Sequence, residues 1–421
     1  VESWIAVGLT VGAWLNWRLV APRLRTYTEI AADSITIPSF LDNRLHDSTH
    51  LLRWVSGLII LVFFTFYVSS GMVSGGTFFE SSFGMDYRLG LTLVAGITVM
   101  YTLVGGFLAV SYTDLVQGLM MVAALVAVPV AGVVRLGGIR ATIDAVSAVD
   151  PHYWAMVGPT TSVIGIAGSL AWGLGYFGQP HIIVRFMAIR SPKEAVAGRR
   201  IGIGWMLFAV AGAAATAVVG VAVYQRDASG LANPEAVFIS LGRLLFDPFV
   251  AGFMLAAILA AIMSTISSQL LVTSSALIED LYKRIRDVEP PQPRLVMYSR
   301  FAVLIVAVVA AAMAWSPNDT ILALVAFAWA GFGASFGPIV LLCLYWRRLT
   351  AIGAVAGMVT GAVVVMIWGG LDGGPGGIFD LYELAPGFAA NLLVAWAVSR
   401  AGRPDPAVEA EFRAAVTAAR R

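Results

Sequence analysis

The sequence has 421 residues, of which 59% are hydrophobic and only 12% are charged. Roughly a quarter of the residues in soluble domains are charged, so this composition excludes an ordinary soluble protein and indicates one embedded in a lipid bilayer. A net charge of +2 provides no basic surface for nucleic acid, and a single cysteine, Cys343, cannot form an internal disulfide.

Eleven apolar stretches are long enough to cross a bilayer as helices, which requires about 20 mostly apolar residues. Polar or Gly/Pro-rich segments separate them, and the pattern predicts an all-α integral membrane protein. The predicted spans are 3–22, 53–77, 87–110, 113–135, 160–187, 197–224, 249–278, 297–315, 320–346, 350–369 and 385–400.

Lysine and arginine residues are distributed unevenly between the two sides of these spans. One side carries 22 of the 27 Lys and Arg residues and the other carries five. Since cytoplasmic loops collect positive charge, this asymmetry places residue 1 outside and the C-terminal tail in the cytoplasm. The tail, residues 401–421, is polar and Ala-rich and is predicted to form a short cytoplasmic helix.

The chain opens VESWIAVGL, without an initiator methionine, a basic segment or a small-residue cleavage site. It begins almost inside the first predicted helix, which indicates that the natural start lies upstream. No other stretch suggests a second, soluble domain.

The segment YTLVGGFLAVSYTD, residues 101–114, ends on an acidic residue between two predicted spans. Asp114 follows Thr113 and could cap the next helix through a side-chain oxygen. An acid near the cytoplasmic end of a span is also suited to hold a cation. Both roles stay open for Asp114.

The segment AWGLGYFGQPH, residues 171–181, places three glycines, a proline and two polar side chains inside an apolar span. Its glycines spell GxGxxG, but a dinucleotide site requires a βαβ unit, which a membrane span cannot provide. The glycines could serve close helix packing with a kink at Pro180, or the helix could be discontinuous and line a cavity. Trp172 and Tyr176 lie four residues apart on one face, which favours the cavity.

The segment LAAILAAIMSTISSQLL, residues 255–271, contains adjacent hydroxyls at Ser264 and Thr265. Such hydroxyls often bond to a carbonyl one turn earlier in their own helix. Oxygen ligands of this kind are also what a hard cation prefers, and without a strong charge they bind it weakly and reversibly. Both interpretations remain possible from these residues alone.

A second glycine-rich stretch, AWAGFGASFGP at residues 328–338, lies near the middle of a long apolar span. Gly331, Gly333, Gly337 and Pro338 predict a second interrupted helix. Two such helices exceed what packing usually requires.

A membrane-embedded redox or catalytic subunit and a channel are the alternatives from other functional classes. Of the four histidines only His181 lies in a predicted span, so neither paired haem ligation nor an HExxH zinc site is available. No repeated filter motif points to a channel.

The fragments GGFLAVSYTD, AWGLGYFGQPH, ILAAIMST and FAWAGFGASFGP together resemble the sodium/solute symporter family, most closely its sodium/proline branch. The resemblance runs from the first residue almost to the last, with these motifs in family order.

The resemblance implies that Ala261, Ser264 and Thr265 complete a sodium site. It implies that Asp114 affects sodium-coupled transport. The implied coupling ion is sodium, and no catalytic residues are expected because the family is not enzymatic.

The resemblance also assigns four residues to the substrate and gating region. Trp172, Tyr176 and Pro180 belong to the broken helix, and Tyr67 comes from the segment FFTFY. Judged alone, Tyr67 would be a routine core or belt aromatic.

The implied fold is the leucine-transporter type, with two inverted repeats of five helices each. Residues 1–135 would be first-repeat helices without the opening broken helix, 160–346 the second repeat, 347–400 two additional helices and 401–421 the tail. Two further helices are expected upstream of Val1, and one would supply the remaining sodium ligands and part of the substrate cradle. Sodium-driven transport would then be incomplete in a chain that begins at Val1.

The implied function is sodium-coupled import of L-proline across the cell membrane by alternating access. Another amino acid, a monocarboxylate or a vitamin is the alternative solute within the family. Besides substrate, sodium and the lipid bilayer, neither nucleic acid nor an obligate protein partner is expected.

Overall fold

The computed structural model describes residues 3–158, 161–224, 231, 233–278, 292–316, 320–371, 377–403 and 405–419. Within these ranges the chain is helical, with short 3₁₀ turns and no β-strand. The helices are α1 (Ser3–Leu19), α2 (Ala21–Ile30), α3 (Ile37–Leu45), α4 (Leu51–Phe83), α5 (Tyr87–Arg135), α6 (Ile139–Val149), α7 (Val163–Ala171), α8 (Pro180–Ala188), α9 (Glu194–Tyr224), α10 (Val237–Leu245), α11 (Pro248–Ser275), α12 (Gln292–Ala314), α13 (Ile321–Tyr345), α14 (Ala351–Trp368), α15 (Leu384–Ala401) and α16 (Pro406–Ala418).

Ten helical segments in the described part of the chain are long and apolar enough to cross a membrane. They coincide with ten of the eleven predicted spans. The eleventh, predicted at 160–187, is formed by α7, a 3₁₀ turn at Trp172–Phe177 and α8. The all-α membrane bundle is therefore confirmed, and α16 is the helix predicted in the tail.

Residues 87–110 and 113–135, predicted as two spans, form one helical run, α5, that bends sharply at Gly106. Gly106 has φ +59° and ψ −164°, a conformation that glycine adopts easily because it has no Cβ. The first half packs on α4, where Gly90 lies against Phe79, and the second half packs on α9, where Gly132 lies against Val219. The bend therefore precedes the position that the sequence suggested.

The second interrupted helix, predicted at 328–338, is wrong, because α13 runs unbroken from Ile321 to Tyr345. Pro338 removes one backbone donor, but the helix continues past it. The glycines provide close packing instead: a Cβ at Gly331 would overlap the ring of Phe63, and one at Gly333 would lie 2.8 Å from Cα of Gly175. Small residues in membrane helices allow close approach as readily as unwinding, and here neighbouring helices decide between them.

Helix α1 meets the segment between α7 and α8 through two glycines. A Cβ at Gly8 would lie 2.8 Å from Cα of Leu170, and one at Gly12 would lie 2.6 Å from the carbonyl carbon of Gly173. Glycines four residues apart form the flat face that membrane helices use for backbone-to-backbone contact. This contact fixes the position of the interrupted helix.

The tail helix α16 packs against α2 and α3, in the segment between α1 and α4. Nε2 of His46 lies 2.9 Å from Oε2 of Glu411. The buried guanidinium of Arg44 lies 5.0 Å from the ring centroid of Tyr27 and 5.3 Å from that of Phe412, so it attracts both rings. The tail is therefore bound to one end of the bundle.

We expect Gly12→Ala to lower the thermal unfolding temperature of the detergent-solubilised protein, since the new methyl meets backbone atoms that cannot rotate away. Overpacking of this kind costs about 1–3 kcal/mol. Gly204→Ala in α9 is the matched control, because no atom lies within 4 Å of the added Cβ and alanine favours the helix. Equal unfolding temperatures for both variants would contradict the close contact.

Candidate functional site

A membrane helix is interrupted between α7 and α8. The first piece ends at Ala171, the 3₁₀ turn covers Trp172–Phe177, and the second piece begins at Pro180. Gln179 has extended backbone angles, φ −75° and ψ 112°, because a following proline disfavours the helical region. The discontinuous helix predicted from AWGLGYFGQPH is confirmed.

Two side chains from other helices bind backbone carbonyls of the 3₁₀ turn. Asn16, fully buried on α1, donates from Nδ2 to the carbonyl oxygen of Tyr176 at 2.8 Å. Trp329 on α13 donates from Nε1 to the carbonyl oxygen of Trp172 at 2.9 Å. These bonds give carbonyls of the turn side-chain donors inside the bilayer, where no water can supply them.

An aromatic cluster, which we define as Tyr67, Trp172, Tyr176, Trp329 and Tyr382, surrounds the 3₁₀ turn. The ring of Trp172 stacks on Tyr382 at 5.0 Å and 17°, and on Trp329 at 6.5 Å and 28°. Tyr176 meets Trp329 edge-on at 5.0 Å and 86°. Offset stacks and edge-on contacts of this kind are the favoured arrangements of aromatic rings.

Tyr382 enters this cluster from the segment between α14 and α15. Burial raises the pKa of its hydroxyl well above the usual value, so the group stays protonated. It donates a hydrogen bond to the carbonyl oxygen of Ala326 at 2.7 Å.

The structure thus gathers three of the four residues that the resemblance assigned to the substrate region, Tyr67, Trp172 and Tyr176. Trp329 and Tyr382 were missed. Trp329 lies in AWAGFG, a stretch noted only for its glycines, and no local pattern marks the aromatic residue at position 382.

Pro180 lies apart from the aromatic cluster. It lines a cavity of about 420 Å³ between α8, α11 and the segment that joins α2 to α3. Arg25, Asp33 and Ser275 also line this cavity. The interruption therefore has two different sides. The side with the aromatic cluster is closed, and the side with Pro180 borders a cavity.

Three buried polar atoms near the interruption have no hydrogen-bond partner among the described residues: Oδ1 of Asn16, Oε1 of Gln179 and Nδ1 of His181. Gln179 is fully buried, and its Nε2 already donates to the carbonyl oxygen of Trp329 at 3.1 Å. The ring of His181 lies 6.1 Å from that of Tyr67. Because an unpaired buried polar atom costs about 1–3 kcal/mol, such atoms mark a place where a ligand can bind.

Ala261, Ser264 and Thr265 lie together on α11. Both hydroxyls donate to the carbonyl oxygen of Ala261, Ser264 at 3.0 Å and Thr265 at 2.9 Å. The local hydrogen bonds considered from the sequence are therefore present, and each hydroxyl oxygen retains lone pairs. Thr265 is exposed, whereas Ala261 lines an apolar cavity of about 260 Å³. In the described part of the chain, no group of three or more His, Cys, Asp or Glu residues could hold a metal ion.

Asp114 forms an ion pair instead of capping a helix. The second half of α5 begins at Val110, so Asp114 lies one turn inside it and the capping alternative is wrong. Its Oδ2 accepts from Nη2 of Arg185 at 2.9 Å and from Oγ of Ser268 at 3.0 Å. Arg185 also donates to Oγ of Ser268 at 3.0 Å, so one contact joins α5, α8 and α11.

Comparison with known proteins relates most of the chain to one family. Residues 1–361 match the profile of the family described as "Sodium:solute symporter family". The chain is 56% identical over 412 residues to the "High-affinity proline transporter PutP" of Bacillus subtilis (strain 168), covering 97% of this chain and 86% of that protein. It is 52% identical over 416 residues to the "Sodium/proline symporter" of Staphylococcus aureus, covering 97% and 81% respectively.

A solved structure shares the fold. A Na⁺-coupled sialic acid symporter in a substrate-bound outward-open state superposes with a TM-score of 0.73 over 96% of this chain and 90% of that chain. The sequences are only 18% identical, so the similarity concerns the fold. It confirms the predicted bundle of leucine-transporter type.

We expect Asp114→Asn and Arg185→Gln to destabilise the protein non-additively, because each variant removes the same ion pair. The pair is partly exposed, with side chains 17% and 46% accessible, so the coupling should be about 0.5–1 kcal/mol. Unfolding of the two single variants and the double variant in detergent measures it.

Asp114→Asn combined with Arg135→Gln is the control, since Arg135 bonds the carbonyl of Leu244 and makes no ion pair with Asp114. Additive losses in the Asp114 and Arg185 pair would show that the contact contributes nothing.

Proposed function

The chain belongs to the sodium:solute symporter family, and on that premise we propose that it imports L-proline with sodium as the coupling ion, by alternating access. It is a multi-pass membrane transporter and not an enzyme. The observation that carries the substrate is the identity of 52–56% to named proline transporters along nearly the whole chain.

Part of the aromatic cluster is the proposed substrate site. Tyr67, Trp172 and Tyr176 offer flat apolar faces that suit a small saturated ring. The unpaired Oε1 of Gln179 and Nδ1 of His181 supply polar atoms for the charged ends of an amino acid. Pro180 lines the adjoining cavity, at the point where the interruption ends and α8 begins. We assign it to the path by which the substrate leaves the site.

The proposed sodium site uses the carbonyl oxygen of Ala261 and the hydroxyls of Ser264 and Thr265. Neutral oxygens suit a cation that must be released in every cycle, because they attract it without a strong charge. Both hydroxyls already converge on the Ala261 carbonyl, which supports their placement around one point.

Asp114 is proposed to influence coupling from the end of the bundle that carries Arg185. Its carboxylate is neutralised by that guanidinium at 2.9 Å. A cation could reach the carboxylate only in competition with Arg185. Binding of the ion would therefore weaken the contact that joins α5, α8 and α11, and the two events would be thermodynamically linked.

We propose that the tail and the cavity beside Pro180 face the cytoplasm of a cell-membrane protein. Arg25 lines this cavity, and Arg44 contacts Phe412 of the tail helix. This clustering of basic side chains supports the orientation expected from the positive-inside rule.

The proposed division into repeats follows the predicted boundaries, 1–135 and 160–346, with 347–400 as two added helices and 401–421 as the tail. The interrupted helix opens the second unit, and α14 and α15 pack mainly on each other and on α13, which supports treating them as additions.

Proteoliposomes containing the full-length protein should accumulate labelled L-proline when an inward sodium gradient is imposed. Replacing sodium with potassium should abolish accumulation, because no coupling gradient remains. Competition by other amino acids, monocarboxylates and vitamins tests the substrate, and uptake indifferent to sodium would sink the proposal.

Thr265→Ala should raise the sodium concentration needed for half-maximal uptake by about one to two decades, since a lost oxygen ligand costs about 1–3 kcal/mol. Thr265→Ser keeps the oxygen and should stay near the wild type.

Thr273→Ala is the matched control, because Thr273 lies on the same helix and donates to the carbonyl of Gln269 in the same way. If the Thr265 and Thr273 alanine variants have equal sodium dependence, the Thr265 hydroxyl serves only its own helix.

A further inference from the structure

Residues 377–383, which lead into α15, cover the end of the interrupted helix that lies away from Pro180. A short 3₁₀ turn at Ile378–Asp380 is followed by Tyr382, whose ring stacks on Trp172 at 5.0 Å and 17°. Trp172 is only 8% exposed. Trp172 is therefore covered on this side by a residue from outside the two proposed repeats.

Tyr382 contacts three elements. Its ring covers Trp172 in the 3₁₀ turn, and its hydroxyl donates to the carbonyl of Ala326 on α13 at 2.7 Å. A Cβ at Gly168 on α7 would lie 3.4 Å from its Cβ, so no side chain separates the segment from the broken helix. Tyr382 thus joins α7 and the 3₁₀ turn to α13.

The covering segment is itself anchored to α14. Trp368 donates from Nε1 to the carbonyl oxygen of Leu381 at 2.9 Å. The ring of Phe379 meets that of Trp368 at 4.9 Å. Because Phe379 and Leu381 are both held at the end of α14, Tyr382 is positioned by a fixed support.

We propose that Tyr382 is a positioning residue that closes the transport site on the extracellular side by clamping Trp172 against α13. The proposal rests on the proposed function and orientation. The open cavity of about 420 Å³ lies beside Pro180 on the cytoplasmic side, which fits a conformation closed outside and open inside.

A clamp of this kind has a definite kinetic signature. For the site to open outward, Trp172 must separate from Tyr382, so weakening the stack enlarges the fraction of molecules able to bind external substrate. Apparent affinity rises with that fraction. Turnover falls, because the closed state must re-form in each cycle.

Tyr382→Ala should therefore lower the KM for external proline about 3- to 10-fold and also lower the maximal uptake rate. Tyr382→Phe keeps the stack and loses only the bond to Ala326, so it should lie between the alanine variant and the wild type. A raised KM would make Tyr382 a direct substrate contact, and an unchanged KM would make its role structural. Either result overturns the proposal.

A disulfide tests the clamp directly. The Gly168 and Tyr382 Cβ positions are 3.4 Å apart, close to the 3.5–4.5 Å of disulfides, so Gly168→Cys with Tyr382→Cys should cross-link on oxidation. Oxidation should abolish uptake by the double variant and reductant should restore it, while each single variant should be insensitive to oxidation. A fully cross-linked protein that transports at the reduced rate would overturn the clamp.

Labelling separates this proposal from the choice of substrate. The Tyr176→Cys variant is treated with a membrane-impermeant maleimide added on the outside, with and without Tyr382→Ala. The assay measures the rate of labelling and requires no transported solute. The rate should rise about 3- to 10-fold when Tyr382 is removed. If wild-type uptake fails with proline but this rise occurs, the proposed function fails and the clamp stands; an unchanged rate overturns the clamp whatever the substrate.

Discussion

A helix that stops inside a bilayer leaves backbone carbonyls without partners, and no water is present there to replace them. This requirement organises the centre of the molecule. The indole of Trp329 and the amide of Asn16 each reach the carbonyl of a residue in the 3₁₀ turn, so the donors come from helices on two sides of it. The aromatic and polar environment of the site follows from the need to support an interruption.

Supporting the interruption requires neighbours that approach at backbone distance. Gly12 of α1 and Gly333 of α13 lie directly against Gly173 and Gly175, and a methyl group at either position would collide. Helix α13 therefore uses its glycines while remaining continuous, since a rigid helix is what carries Trp329 to its acceptor. The helix between α7 and α8 is interrupted, and the continuous, glycine-rich α13 packs directly against the interruption.

The sequence predicts features whose causes are local and fails where distant partners decide. Glycine, proline and polar residues within one apolar span predict the broken helix, and the order of motifs predicts the family and its fold. The same residue types at 328–338 mislead, because the ring of Phe63 and the backbone of Gly175 determine what those glycines do.

Asp114 shows the same limit. Its local pattern suggests a cap, but the helix bends earlier, at Gly106. The carboxylate instead pairs with Arg185, which is 71 residues away in the sequence. Trp329 joins Trp172 across 157 residues, a contact that no local pattern reveals. The roles of Ala261, Ser264 and Thr265 remain predictions, since only their mutual placement is visible.

The docking of α16 also has a consequence for the order of assembly. His46 and Glu411 are 365 residues apart, yet they meet beside the α2 and α3 segment that borders the cavity at Pro180. During synthesis, at about 5–20 residues per second, the N-terminal helices are made first, and α16 is not yet available to pack against α2 and α3. The segment therefore reaches its final packing only after every membrane helix has been made, so one wall of this cavity is completed at the very end of synthesis.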